Sequence, residues 1–237
     1  MKSHLIVLAA LVLPLSAANA QLVAGWDFQT TNNGGTAVLA ATNTQTTLIA
    51  NFGTGTLYLD ASFGSSSWAT NQLNAFAGST VNATNWGFST TTTSPAALAL
   101  VNSNANNFSA TFQFASAISF TNIQLSYSTQ ATATGFTSQL WEYSTNGSAW
   151  TAFYTNSAIS NSFASMGIVT SPIISGLDGA TNGFLRLTVN GASAAAGNNR
   201  LDNVAIASVP EPSTLALLGL AVLGTAGYVI RRRSQKS

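Results

Sequence analysis

Few side chains in this chain are able to do chemistry. Between residues 21 and 208 the acids are Asp27, Asp60, Glu142, Asp178 and Asp202, and the only cations are Arg186 and Arg200. Cysteine is absent, the single histidine is His4, and lysine occurs only at Lys2 and Lys236. Ser-His-Asp and Cys-His triads, His/Cys zinc sites and lysine Schiff bases are thereby excluded from the middle of the chain. Nucleic acid is excluded as a partner, because phosphate binding needs clustered Lys and Arg on the folded part. No residue is assigned a catalytic role.

Two weaker chemistries stay open. Asp27 and Asp202 lie near opposite ends of the segment, and first and last strands of sandwiches often pair. Such a pair could serve a glycan hydrolase, or hold a structural calcium with loop carbonyls, although no D-x-D-x-D-G run is present. The bland alternative has Asp202 bonded to Arg200 or loop backbone and Asp27 capping a turn. No other cofactor is expected. Aromatic rings stack on sugar faces, and Trp141, Tyr143 and Trp150 flank one turn, where two could share an exposed face. Trp68, Trp86 and Tyr154 are further candidates, and core packing is the alternative for each.

The elements that must position these residues read as strands. Charged residues make up 5% of the 237-residue chain, against about 25% in ordinary soluble domains. Ser, Thr, Asn and Gly take over the surface. Phe108, Ala110, Phe112 and Phe114 alternate with Ser109, Thr111 and Gln113, which predicts a half-buried strand. Leu185, Leu187 and Val189 alternate likewise with Phe184, Arg186 and Thr188. Strand signals also cover 22–28, 46–51, 56–60, 96–101, 118–127, 136–143 and 200–207. Phe52-Gly53-Thr54-Gly55 reads as a hairpin, and Asn146-Gly147 as a two-residue type I′ turn. The expected fold is all-β: a single jelly-roll-like antiparallel β-sandwich over residues 21–208.

The two ends read as addresses. Lys2, the apolar run Leu5–Leu13, Pro14 and the small-x-small pattern Ala18-Asn19-Ala20 predict a signal helix over 1–20, cleaved before Gln21. At the other end, over 209–237, Pro210-Glu211-Pro212 precedes an apolar run from Leu215 to Ile230 and then Arg231, Arg232 and Arg233. That run is about 24 Å of helix, enough for a transmembrane segment over about 213–230 when flanking residues help. The arginines are expected to stay cytoplasmic and leave 21–208 outside the inner membrane.

Triplet, span and basic stop together resemble the PEP-CTERM sorting signal of Gram-negative bacteria. The resemblance covers residues 208–233. It implies reading by a membrane-embedded exosortase, removal of the tail during export, and an association with exopolysaccharide and biofilm matrix. The Tyr143-to-Trp150 hairpin and the 200–206 strand are weakly similar to exported jelly-roll, carbohydrate-binding-like sandwiches. The expected protein is a non-enzymatic, exported surface or matrix protein, anchored transiently in the inner membrane. Its expected partners are exosortase, the export machinery and, in a rival reading, exopolysaccharide bound by a carbohydrate-binding module.

Overall fold

The structure is a computed structural model that describes residues 20–28, 46–93, 96–115 and 120–209. The expected signal helix, Ala18, the Pro210-Glu211-Pro212 triplet, the transmembrane helix and Arg231–Arg233 lie outside the described residues. Among those described, no helix is long and apolar enough to cross a membrane.

Two antiparallel sheets stack face to face. The seven-stranded sheet runs β11 (Ile168–Thr170), β8 (Ile123–Ala131), β13 (Asn198–Ser208), β1 (Gln21–Trp26), β3 (Phe52–Gly53), with β6 (Ala97–Val101) also on β13 and β5 (Leu73–Phe76) on β6. The six-stranded sheet runs β10 (Thr151–Asn156), β9 (Ser138–Ser144), β12 (Asn182–Asn190), β7 (Ser109–Ala115), β4 (Gly55–Tyr58), β2 (Thr47–Ile49). The all-β sandwich expected from the alternating pattern is the fold observed.

The core between the sheets follows the two-residue period. Ala110, Phe112 and Phe114 of β7 and Leu185, Leu187 and Val189 of β12 all point into it. An aromatic chain crosses the core: Trp26 meets Phe112 edge-on at 5.1 Å, Phe112 lies 5.7 Å from Trp141, and Trp141 lies 5.4 Å from Tyr127. Each polar tip is engaged, as a buried Trp or Tyr requires. The indole of Trp26 donates to the Leu48 carbonyl, Trp141 donates to the Tyr127 hydroxyl, and Tyr127 donates to Gln139 at 2.8 Å.

Three local expectations need correction. The outer side of β7 is covered rather than wet: Thr111 is 0% and Ser109 6% exposed. The 62–68 segment lies over them, Ser65 bonding Thr111 and Trp68 donating to the Ser109 carbonyl. The 52–55 segment is more than a turn, because Phe52-Gly53 leaves the β2–β4 pair to join β1 in the other sheet. The Asn146-Gly147 turn is longer than two residues. Only Gly147 takes positive φ, at 73°, and the Asn146 side-chain oxygen accepts from the Ser148 and Ala149 N–H groups. An Asx-type loop over residues 145–150 therefore replaces the type I′ hairpin.

Strand β13 organises its sheet. One edge pairs with β8 throughout; the other pairs with β6 over Asn198–Leu201 and with β1 over Val204–Ser208. At the changeover, Asp202 lies opposite Ser128 and Ala205 opposite Ser126, so β13 carries one extra residue there. Asn203 absorbs this bulge at φ 49°.

Candidate functional site

The β1–β13 pairing brings Asp27, just past the end of β1, near Asp202 at the bulge. Asp202 is fully buried, and its two oxygens accept from Ser79 N–H (2.6 Å) and Asn203 N–H (2.8 Å). Burial pushes its carboxyl up to about 8; the two N–H donors oppose that, and the Asp27 charge adds to it. Gly78 lets the chain approach this closely, since a Cβ there would collide with the Ala96 carbonyl and the Asp202 carboxylate. The Asn203 amide donates to the Ser79 and Val81 carbonyls, while its Oδ1 is buried without a partner. Of the two bland partners expected for Asp202, loop backbone is the one observed, at Ser79, and not Arg200: the Arg200 guanidinium sits 4.9 Å above Phe76 and reaches the Ala77 carbonyl.

This arrangement is a clamp that fastens residues 78–89 over the sheet. It offers poor hydrolase geometry, because Asp27 is only 4% exposed and Asp202 not at all. For calcium it gathers two carboxylates and one orphan amide oxygen, part of the six to eight oxygens that ion takes. Among the described residues no third acid joins them.

The aromatic trio does not share a face. Trp141 is 0% exposed and belongs to the core, so it cannot stack on a sugar. Tyr143, two residues on, points the same way and packs against Phe153 at 6.2 Å. Trp150 lies over the opposite side of the sheet, where the Arg186 guanidinium covers its ring at 4.3 Å. Arg186 in turn holds Glu142 at 2.8 Å, so the partly exposed Trp150 ring is already capped by an ion pair.

A different tryptophan reaches the surface beside a hollow. The short helix α1 (Ala83–Trp86) is framed by positive φ at Asn82 and Gly87 and lies on the outer face of the seven-stranded sheet. Trp86 is partly exposed, and its indole N–H donates to the Ser126 hydroxyl at 3.2 Å. Asn82, 4% exposed, donates to the same hydroxyl and to the Asn203 carbonyl, which ties α1 to the bulge. Around Trp86 an open hollow of about 200 Å³ is lined by Asn82, Asn85, Gln124, Ser126, Ile168 and Thr170. A second open groove, of about 320 Å³, runs along β2, β4 and β7 beside Ile49 and Gln113. Sequence reasoning counted Trp86 among the aromatics without placing it, since its partners on β8 and β11 are remote in the chain.

No curated protein matches the chain. Among solved structures it is similar to TmCBM61 in complex with β-1,4-galactotriose (9% identity, 49% of this chain and 72% of that chain, TM-score 0.32). It is also similar to the N-terminal cellulose-binding domain of the Cellulomonas fimi β-1,4-glucanase C (20% identity, 50% of this chain and 82% of that chain, TM-score 0.33). A third is the CBM22-1–GH10 portion of a Clostridium thermocellum endo-1,4-β-D-xylanase with xylohexaose (9% identity, 50% of this chain and 23% of that chain, TM-score 0.34). Scores this low carry no argument about function. The tail differs: residues 208–233 match the PEP-CTERM protein-sorting motif.

Proposed function

We propose that the chain is a non-enzymatic surface or extracellular-matrix protein of a Gram-negative bacterium, whose sandwich is displayed once exosortase has processed the tail. The observation that carries this reading is the sorting motif over residues 208–233. Its Pro210 and Pro212 have no backbone N–H to donate and are poor partners for a sheet, a chemistry that suits reading by a membrane protease. The absence of a catalytic role is supported by how the sandwich uses its acids. Glu142 is paired with Arg186, Asp60 accepts from Ser62, Asp178 accepts from Asn122, and Asp27 and Asp202 are enclosed.

Replacing Pro210, Glu211 and Pro212 by alanine tests the sorting step. The variant is expected to accumulate at full length in the inner membrane, followed by immunoblotting of fractionated cells. Processing and release at the wild-type rate would refute the reading. Glycan turnover by the purified protein, lost in Asp202→Asn, would replace it with the hydrolase.

A further inference from the structure

We infer that the hollow between α1, β8 and β11 is a docking site for one uncharged sugar ring of an extracellular polysaccharide. The walls define the ligand. The polar edge of Trp86 is engaged by Ser126, so the ring contributes apolar surface to the hollow. Ile168 faces it at 46% exposure, the highest of the large hydrophobic residues exposed among those described. Exposed apolar groups rimmed by polar ones mark binding surfaces rather than ordinary exterior.

The rim supplies neutral hydrogen-bonding groups. Asn85 and Thr170 are exposed. The Gln124 amide donates to the Ser171 carbonyl, which holds the side chain in place and leaves Oε1 free to accept. An apolar wall beside fixed amides and a hydroxyl suits a sugar ring, which has an apolar face and a hydroxyl edge. No charged residue lines the hollow, so nothing there compensates a uronate, sulfate or phosphate. A volume of about 200 Å³ has room for one ring, not for an extended chain. Affinity per site is accordingly weak, with Kd on the order of 0.1–10 mM, and strengthened by multivalent display on a surface. This inference goes beyond the sorting reading and does not depend on it.

The site is also held rigid. Asn82 links α1 to both Ser126 and the β13 bulge, and Trp86 packs on Ala83, Phe88 and Ala205. A pre-set ring loses little freedom when a sugar docks.

The test is titration of the full chain, in a detergent without sugar headgroups, with cellohexaose, galactohexaose and dextran, and with alginate as the anionic control. Binding is read by calorimetry and ligand-observed NMR. The expected result is millimolar-range binding to at least one neutral glycan and none to alginate. Trp86→Ala is expected to weaken binding at least about tenfold. Because Trp86 also packs on its neighbours, Thr170→Arg serves as the second variant: it sits at an exposed position of an edge strand and fills the hollow without touching the core. It too should lose binding, whereas Trp150→Ala and the alanine triplet at residues 210–212 should bind as wild type. No binding to any neutral glycan at about 10 mM, the weak end of that range, equal binding by Thr170→Arg, or preference for alginate would overturn the proposal. So would a change in self-association, without sugar binding, as the only effect of these variants.

Discussion

Asp202→Asn is the most informative perturbation of the fold. An ordinary aspartate ionises near 3.8, whereas the Asp202 carboxyl keeps its proton to about 8 in the folded protein. Between those values folding takes up a proton, so stability falls as pH rises through about 4 to 8 and levels off above that window. At ~1.4 kcal/mol per pH unit, that window sets an upper limit of ~6 kcal/mol, which water entry and local relaxation reduce. Asparagine cannot ionise, but its amide nitrogen faces one of the two N–H donors that the carboxyl now accepts. Losing that bond costs about 1 kcal/mol. The variant is therefore expected to be the less stable protein at pH 5 and the more stable one at pH 9, with the curves crossing between. Urea unfolding in EDTA, followed by tryptophan fluorescence across that range, measures the difference. Parallel profiles for the wild type and the Asp202→Asn variant, with no crossing, would refute the assignment of a buried, proton-holding carboxyl.

Other expectations follow from the same geometry. Millimolar calcium should leave the thermal midpoint unchanged, because the pair offers two enclosed carboxylates, one of them holding its proton to about 8, and no third acid among the described residues; a rise of several degrees that Asp27→Asn removes would instead place calcium at this pair. Trp141→Ala should cost about 3–5 kcal/mol in chemical denaturation, while Trp150→Ala, outside the core, should cost about 1 kcal/mol or less. The reverse order would contradict their placement. Gly78→Ala should destabilise by more than about 1 kcal/mol, as expected where a side chain is forced into filled space, and a neutral result would mean that the 78–79 backbone can move away from Asp202. Deleting Arg231–Arg233 should reduce correct membrane orientation of the precursor, seen as altered protease protection in spheroplasts.

Much of the sandwich was legible because its strands keep period two. Leu185, Leu187 and Val189 alternate cleanly, and the core lies on their side. The same rule, applied from the turn outward, would have put Trp141 and Tyr143 together on one face and separated them from Trp150. Proximity to a turn was the misleading cue. The covering of Thr111 could not be read locally, since it depends on a much earlier segment, residues 62–68, that carries no periodic signal. The Asp27–Asp202 approach was foreseeable from strand pairing. Its chemistry was not, because it arises from a one-residue bulge at Asn203 and from the loop that Gly78 admits. The hollow beside Trp86 joins three residues of the 82–86 segment to positions on two strands, β8 and β11, and no linear spacing encodes that meeting. The sorting tail was the opposite case: its signal is linear, and residues 208–233 carry it whole.

The pairing of Gln21 with Ser208 has a mechanical consequence. Any pull transmitted through the tail enters the sandwich along β13, an interior strand with partners on both edges. Over its eleven residues the ladder bonds lie across the direction of pull and must shear together, instead of unzipping one at a time from a free margin. A domain pulled through an interior strand therefore resists by shear, the stiffer of the two ways a sheet can be opened.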